Sequence, residues 1–387
     1  MKLLPYTIRL ESPTRFFDGK KCWVHARAGT IPPSLPAQAP KVVMTMLLAD
    51  MRGSDVFEGV YSMYTDDLGK TWSPPQKAAA LTERVECVAG LPEVHIRFAD
   101  PVVKWHAGSQ TLLLTGHTAK YHGFHLMPPP RPRHTIYSLY NPATNEWGEW
   151  RKLLLPDDRG KFYNAGAGSA QWAEDREGNI LLPFYFSGRA EKPNYRSTVA
   201  RCRFDGKEME YIEHGSEIGL DDGTRGLYEP SLVYFGGKYY LTLRHDRTGY
   251  VTWSADGLHY APVREWCFDD GRPLGNYNTQ QHWVAHGDGL FLVYTRRGAG
   301  NDHVFRHRAP LFMAQVDPEN LCVIRQSERI LVPERGARLG NFGVTEVTGQ
   351  ETWVTVAEWM QPLGVEKYGS DGSVFVARIL WASPPGM

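Results

Sequence analysis

Short apolar runs separated by Gly- and Pro-rich turns recur along the chain with a period of about 60 residues. Each repeat opens on a strand of buried character and turns through glycine. It then enters a very apolar strand and leaves through one or two more polar ones. Residues 42–49 and 59–64 begin the series. Residues 101–104, 111–116, 134–140 and 150–154 form the second cluster, and 167–172, 179–186, 196–204 and 208–213 the third. The fourth holds 230–235, 238–244 and 249–253; the fifth 282–285, 290–295, 310–316 and 321–325. The sixth, 343–347, 352–359 and 373–380, is one strand short, and residues 6–10 are placed to supply it. Strand clusters that pair only with their neighbours predict an all-β, six-bladed β-propeller in a single domain over residues 1–387. Seven blades is the alternative, the extra one falling in 77–97, where two-residue alternation is missing. No window keeps helical apolar spacing beyond two turns. The Pro-rich runs 31–40 and 127–133 read as ordered surface loops on the rim of a pocket.

One turn has a pattern of its own. Thr65, Asp67, Gly69, Thr71 and Trp72 fill an Asp-box, Ser/Thr-x-Asp-x-Gly-x-Thr-Trp. A hairpin of this kind needs a carboxylate to accept backbone N–H groups and a glycine for positive φ. Thr71 re-enters the strand and Trp72 packs the hairpin on its neighbour. Ser254, Asp256, Gly257 and Tyr260 repeat a shortened form.

Composition fits strands and turns: 38 Gly, 27 Pro, 19 Tyr, 16 Phe and 12 Trp in 387 residues. Charges balance at 43 against 43, which gives no support for nucleic-acid binding. The five cysteines (Cys22, Cys87, Cys202, Cys267, Cys322) are odd in number and far apart, as expected of reduced thiols. Residues 1–9 lack the apolar core of a signal peptide, and no run approaches the ~20 apolar residues of a membrane helix. The expectation is a cytoplasmic protein, or a secreted or periplasmic one if a leader has been trimmed, without membrane contact and without a cofactor.

Asp-boxes, blade count and blade order together resemble the sialidase superfamily over nearly the whole chain. The resemblance implies three arginines on a sugar carboxylate, a tyrosine nucleophile activated by a glutamate, and an aspartate acid/base. Glu229, opening one cluster, and Arg244, ending its second strand, match the family pattern. Arg308 stands where the family carries another arginine, with Arg306 as its rival. Arg27 precedes an Ile-Pro pair as the family's first arginine does, at a different spacing, and Arg52 is its substitute. Asp55 occupies the interval expected of the acid/base. At the expected tyrosine the sequence reads Gly340-Asn341-Phe342-Gly343, and Phe342 has no hydroxyl.

That departure brings His25 forward, since an imidazole titrates near neutrality. The segment 23–27 is similar to propeller enzymes acting at rhamnose–glucuronate linkages, which depend on a histidine near the N-terminus. The primary expectation is an exo-glycosidase removing a terminal sugar from a glycan containing a carboxylated sugar. Asp55 and Glu229 are its carboxylates, and their separation decides retention or inversion. Two alternatives stand beside it. One is a lyase or histidine-dependent rhamnosidase using His25 with Tyr163, Tyr228 or Tyr277. The other is a glycan-binding propeller without catalysis. His282 and His286 have metal-pair spacing for a helix but fall in a strand, where i and i+4 are ~13 Å apart, so no metal is expected. His117, His122 and His125 are assigned to a solvated loop. Trp105, Trp147, Trp150 and Trp172 are assigned to blade packing.

Overall fold

The computed structural model describes residues 2–35, 38–53, 55–87, 92–157 and 159–382. Pro36 and Ala37 of the 31–40 run, Ser54, and residues 88–91 of the 77–97 segment lie outside the described residues.

The described strands pair into six antiparallel sheets. Each sheet starts on an inner strand, and neighbouring inner strands touch in cyclic order. Lys21–Ile31 of the first sheet meets Val94–His106 of the second on one side and Gly343–Thr348 of the sixth on the other. The third sheet, built on Ile180–Ser187, touches the second and the fourth. Tyr228–Phe235 of the fourth meets His282–His286 of the fifth, which meets Gly343–Thr348. This closed ring of sheets is a β-propeller. Its core lies between the sheets, where Trp150, Trp172, Trp266, Trp283 and Trp353 are fully buried.

The sixth sheet draws its outer strand from the start of the chain. Tyr6–Arg15 runs antiparallel to Ser373–Trp381, with Tyr6 opposite Trp381, Ile8 opposite Ile379 and Leu10 opposite Ala377. This is the strand that residues 6–10 were expected to supply, and it covers an edge that would otherwise expose unpaired backbone groups.

Two inner strands differ from the sequence expectation. Lys21–Ile31 was not assigned to a strand, because buried His25 and Arg27 interrupt its apolar run. Val94–His106 starts seven residues before 101, beyond a kink at Asp100-Pro101. In the 77–97 segment, Arg84–Glu86 pairs with Val94–His106 and so extends the second sheet.

The Thr65–Trp72 turn is held by its carboxylate. Asp67 accepts from the Thr71 amide at 2.9 Å, the Thr71 hydroxyl at 2.6 Å and the Thr65 hydroxyl at 2.8 Å. Asp256 likewise accepts from the Ser254 hydroxyl and the amides of Leu258 and His259. Cys22, Cys202 and Cys322 are buried, Cys267 is partly buried and Cys87 exposed, all as free thiols. Burial pushes the Cys22 and Cys202 thiols up to about 12. No helix among the described residues is long and apolar enough to cross a membrane.

Candidate active site

Backbone strain gathers at one mouth of the ring. His25, Asp100, Ser169, Glu229 and Asn278 are non-glycine residues with φ between 47° and 57°. His25, Asp100 and Glu229 each sit in a β-bulge of an inner strand. A bulge re-aims a side chain out of the ladder. A left-handed residue costs about 1–3 kcal/mol, and such outliers collect at functional sites. Here the bulges turn an imidazole and two carboxylates into one cavity of about 290 Å³.

Arginines dominate its lining. Arg244, Arg308, Arg306 and Arg225 reach in from the fourth and fifth sheets, Arg338 from beside Trp359, and Arg131 and Arg133 from the Pro-rich run before Thr135–Asn141. Against these seven the lining offers three carboxylates, Asp55, Asp100 and Glu229.

Glu229 and Arg244 form a close pair, at 2.6 Å, both nearly buried. Burial opposes the Arg244 charge, yet Glu229 beside it raises its pKa above the ordinary value. The second Arg244 amino group donates to Asn278 Oδ1 at 2.7 Å. Arg308 lacks such compensation. It is 3% exposed, donates to the Asn278 carbonyl, and has a buried Nε without a partner. Burial, then the like charges of Arg244, Arg338 and Arg306, push its pKa well below the ordinary value. Arg338 lies 3.9 Å over the Trp359 ring, and burial lowers it to about 10. Together these guanidinium groups offer charge and N–H donors suited to an anionic group.

His25 faces the same cavity. Its ring packs 5.1 Å from Phe57 and 5.7 Å from Trp359, and the Asn341 side chain meets Nε2 at 2.5 Å. Burial, then the charge of Arg27, hold its pKa well below the usual 6.5, so the imidazole is neutral. Nδ1 lies 3.1 Å from Asp100 Oδ1, out of line for a hydrogen bond. Asp100 also accepts from the Ser169 hydroxyl at 3.0 Å. Asp55, with φ 58°, also lines the cavity, its carbonyl accepting from the Tyr121 hydroxyl at 2.7 Å.

The structure thus gathers Asp55, Glu229, His25, Arg244, Arg308 and the rival Arg306. Two other expected residues have different surroundings. Arg27 lies behind the cavity wall and spends its donors inside the ring, on the Phe342, Pro101, Ser169 and Gln280 oxygens at 2.7–3.1 Å. Arg52 is turned outward, bonded through Nε to Asp50 at 2.9 Å and stacked on Phe124. Neither lines the cavity. Of the three tyrosines, Tyr228 lines it, its hydroxyl bonded to Asp246 at 2.7 Å. Tyr277 is bonded to His307, and Tyr163 lies near Arg189, both away from the cavity lining. Phe342 is fully buried in the core of the fifth and sixth sheets.

His117, expected in a loop, ends up buried on strand Thr111–His122 and lines the cavity, with Nε2 3.4 Å from Asp100 Oδ2. His282 bonds Ser231 and Gln280, while His286 stacks on Trp381. Asp100, Arg131, Arg133 and Arg338 are additions to the sequence expectation. For Asp100 a signal existed: the acidic-Pro pair Asp100-Pro101 recurs as Glu229-Pro230 at the matching bulge.

No protein-family model matches the sequence, and no curated protein matches it either. Among solved structures, a protein of unknown function from Dyadobacter fermentans is similar at 13% identity, over 97% of this chain and 99% of that one, with a TM-score of 0.66. A Hadza microbial sialidase matches at 12% identity over 92% of this chain and 65% of its own, with a TM-score of 0.61. Trypanosoma rangeli sialidase in complex with the inhibitor DANA matches at 13% identity over 97% of this chain, with a TM-score of 0.58. The match covers 60% of that sialidase, so this chain spans less than two thirds of either sialidase's length. The fold is sialidase-like.

Proposed function

We propose that this sialidase-like propeller is an exo-acting glycosidase that removes a terminal sugar from a glycan containing a carboxylated sugar. The observation that carries the reading is a small, strained cavity with seven arginines against three carboxylates. Its volume of about 290 Å³ is at the low end for ligand pockets, which suits the end of a glycan rather than its middle. In this reading the six sheets are the six blades of one domain.

Arg244 and Arg308 hold the sugar carboxylate, the second completing the charge balance that the protein leaves open. Asp55 gives its proton to the glycosidic oxygen as the bond to the anomeric carbon breaks, and then takes one from the water that attacks that carbon. Glu229, fixed by Arg244, stabilises positive charge developing on the sugar or directs water. Burial of Phe342 favours attack by water over a tyrosine-bound intermediate.

A second reading is favoured by the buried, neutral His25 beside Asp100: a lyase or rhamnosidase in which the imidazole takes the proton. Product analysis separates the readings. A glucuronate-containing oligosaccharide should yield a saturated terminal sugar. An unsaturated uronate absorbing in the ultraviolet would transfer the chemistry to His25. Tight binding without product would leave a glycan-binding propeller.

A further inference from the structure

We infer that the cavity is built for a ligand with two anionic groups, the second seated on Arg131 and Arg133. The inference rests on the acidic-glycan reading for the ligand's sugar and deepens it by naming a second charge.

Arg225 and Arg244 each have a carboxylate partner, in Asp246 and Glu229. Arg131 and Arg133 form no ion pair among the described residues. Arg131 donates to the Met127 carbonyl. Arg133 lies over the rings of Tyr185 and Tyr195, at 5.0 and 5.7 Å, with a buried Nη1 that has no hydrogen-bond partner. Leaving a guanidinium N–H buried and unsatisfied is costly, and a carboxylate or sulfate oxygen is its natural acceptor. The tyrosine faces hold the fork without neutralising it.

This locus is distinct from the one around Arg308. The like charges that bear on Arg308 are Arg244, Arg338 and Arg306, while the one that bears first on Arg131 is Arg133. Arg133 and Arg131 bear on His117 and Arg308 on His25, while Arg27 bears on both, with Asp100 between the two rings. Arg131 and Arg133 come from the run before Thr135–Asn141 of the second sheet, and Arg244 and Arg308 from the fourth and fifth sheets.

Room for the second locus is made by two glycines. A Cβ on Gly166 would stand 2.6 Å from Arg133 Cδ, and one on Gly168 would stand 2.1 Å from His117 Nδ1. Any larger residue would push Arg133 or His117 out of place. The chemistry required of the ligand is therefore a sugar carboxylate plus a second carboxylate or an O-sulfate a short distance away.

Two measurements test this. Crystals soaked in sodium selenate, a sulfate analogue visible by anomalous scattering, should show two occupied positions in the cavity, one on Arg131 and Arg133, the other on Arg244 and Arg308. R133Q and, separately, R131Q should empty the first and keep the second. A single position in the wild type, or a first position that survives both variants, overturns the inference. Affinity is the second measurement, with glucuronate as the single anion, O-sulfated glucuronate and a diglucuronate as the two kinds of dianion. At least one dianion should bind about tenfold tighter than glucuronate, and R133Q should erase the gain. Equal affinities in the wild type overturn the inference, and which dianion gains identifies the second group. Two selenate positions without turnover of any acidic glycan would sink the glycosidase reading alone. Turnover with one selenate position would sink the two-anion pocket alone.

Discussion

His25 and Asp100 face each other across 3.1 Å, from two different sheets and on two left-handed bulges, while His117 stands 3.4 Å from the other oxygen of the same carboxylate. The carboxylate stands between two imidazoles, and with Asp55 in the same cavity lining the site holds two rival proton carriers, His25 and Asp55.

Variants decide between them. Asp55→Asn keeps shape and removes a transferable proton, so a hydrolase that uses it should lose about 10²–10⁴-fold in kcat, with His25→Ala milder. If His25→Ala abolishes turnover and Asp55→Asn is tolerated, the imidazole carries the chemistry. Asp100→Asn should then shift the pH–rate profile as well as lower the rate, which loss of packing alone would not do.

Acid should loosen the protein in a defined window. Burial first, then nearby arginines, hold His25, His117 and His282 well below 6.5. Unfolding returns them to about 6.5, so the unfolded chain binds more protons below that pH. Stability is therefore full above about 6.5 and falls as pH drops toward the depressed folded values, by about 1.4 kcal/mol per pH unit for each histidine. Urea midpoints at pH 7.5, 6.5 and 5.5 measure this, and a flat series would contradict it.

Arg27 ties together four inner regions of the ring, and its loss should read as instability rather than weak binding. Arg27→Met leaves buried oxygens of Pro101, Ser169 and Gln280 short of a donor, while the Phe342 carbonyl keeps that of Gln280 Nε2. Each costs about 1–3 kcal/mol. A large drop in Tm is expected. An unchanged Tm with a raised KM would instead make Arg27 a ligand clamp.

Glu229→Gln should destabilise by about 3–5 kcal/mol, because it strands Arg244 beside Arg308 in a buried site. Saturating glucuronate should restore part of the loss, since its carboxylate replaces the missing charge. A variant as stable as the wild type, with or without glucuronate, would show that Glu229 does not balance these arginines.

Much of this architecture was legible in the apolar rhythm. Period-two patterning and glycine turns placed most strands, and the missing partner of the sixth cluster pointed to residues 6–10. Polar residues inside inner strands were the obstacle. His25 and Arg27 hid strand Lys21–Ile31, although both are buried. Strand position, which the ring preserves, singled out Glu229, Arg244 and Arg308, and all three line the same cavity. Arg131 and Arg133 were overlooked because a Pro-rich loop carries no periodicity from which to place a side chain. Arg52 was chosen for its place in sequence, and its neighbour Asp50 captures it.

The pairing of Tyr6–Arg15 with Ser373–Trp381 also sets an order of events. During synthesis the first strand emerges hundreds of residues before its partner and must wait unpaired while five other sheets assemble. Ring closure is thus the last act, available only when residue 381 has left the ribosome. Until then the nascent protein carries two open β-edges, one at each end of an unfinished circle. Removing Tyr6–Arg15 should hold the chain at that stage, prone to joining edge to edge with its copies.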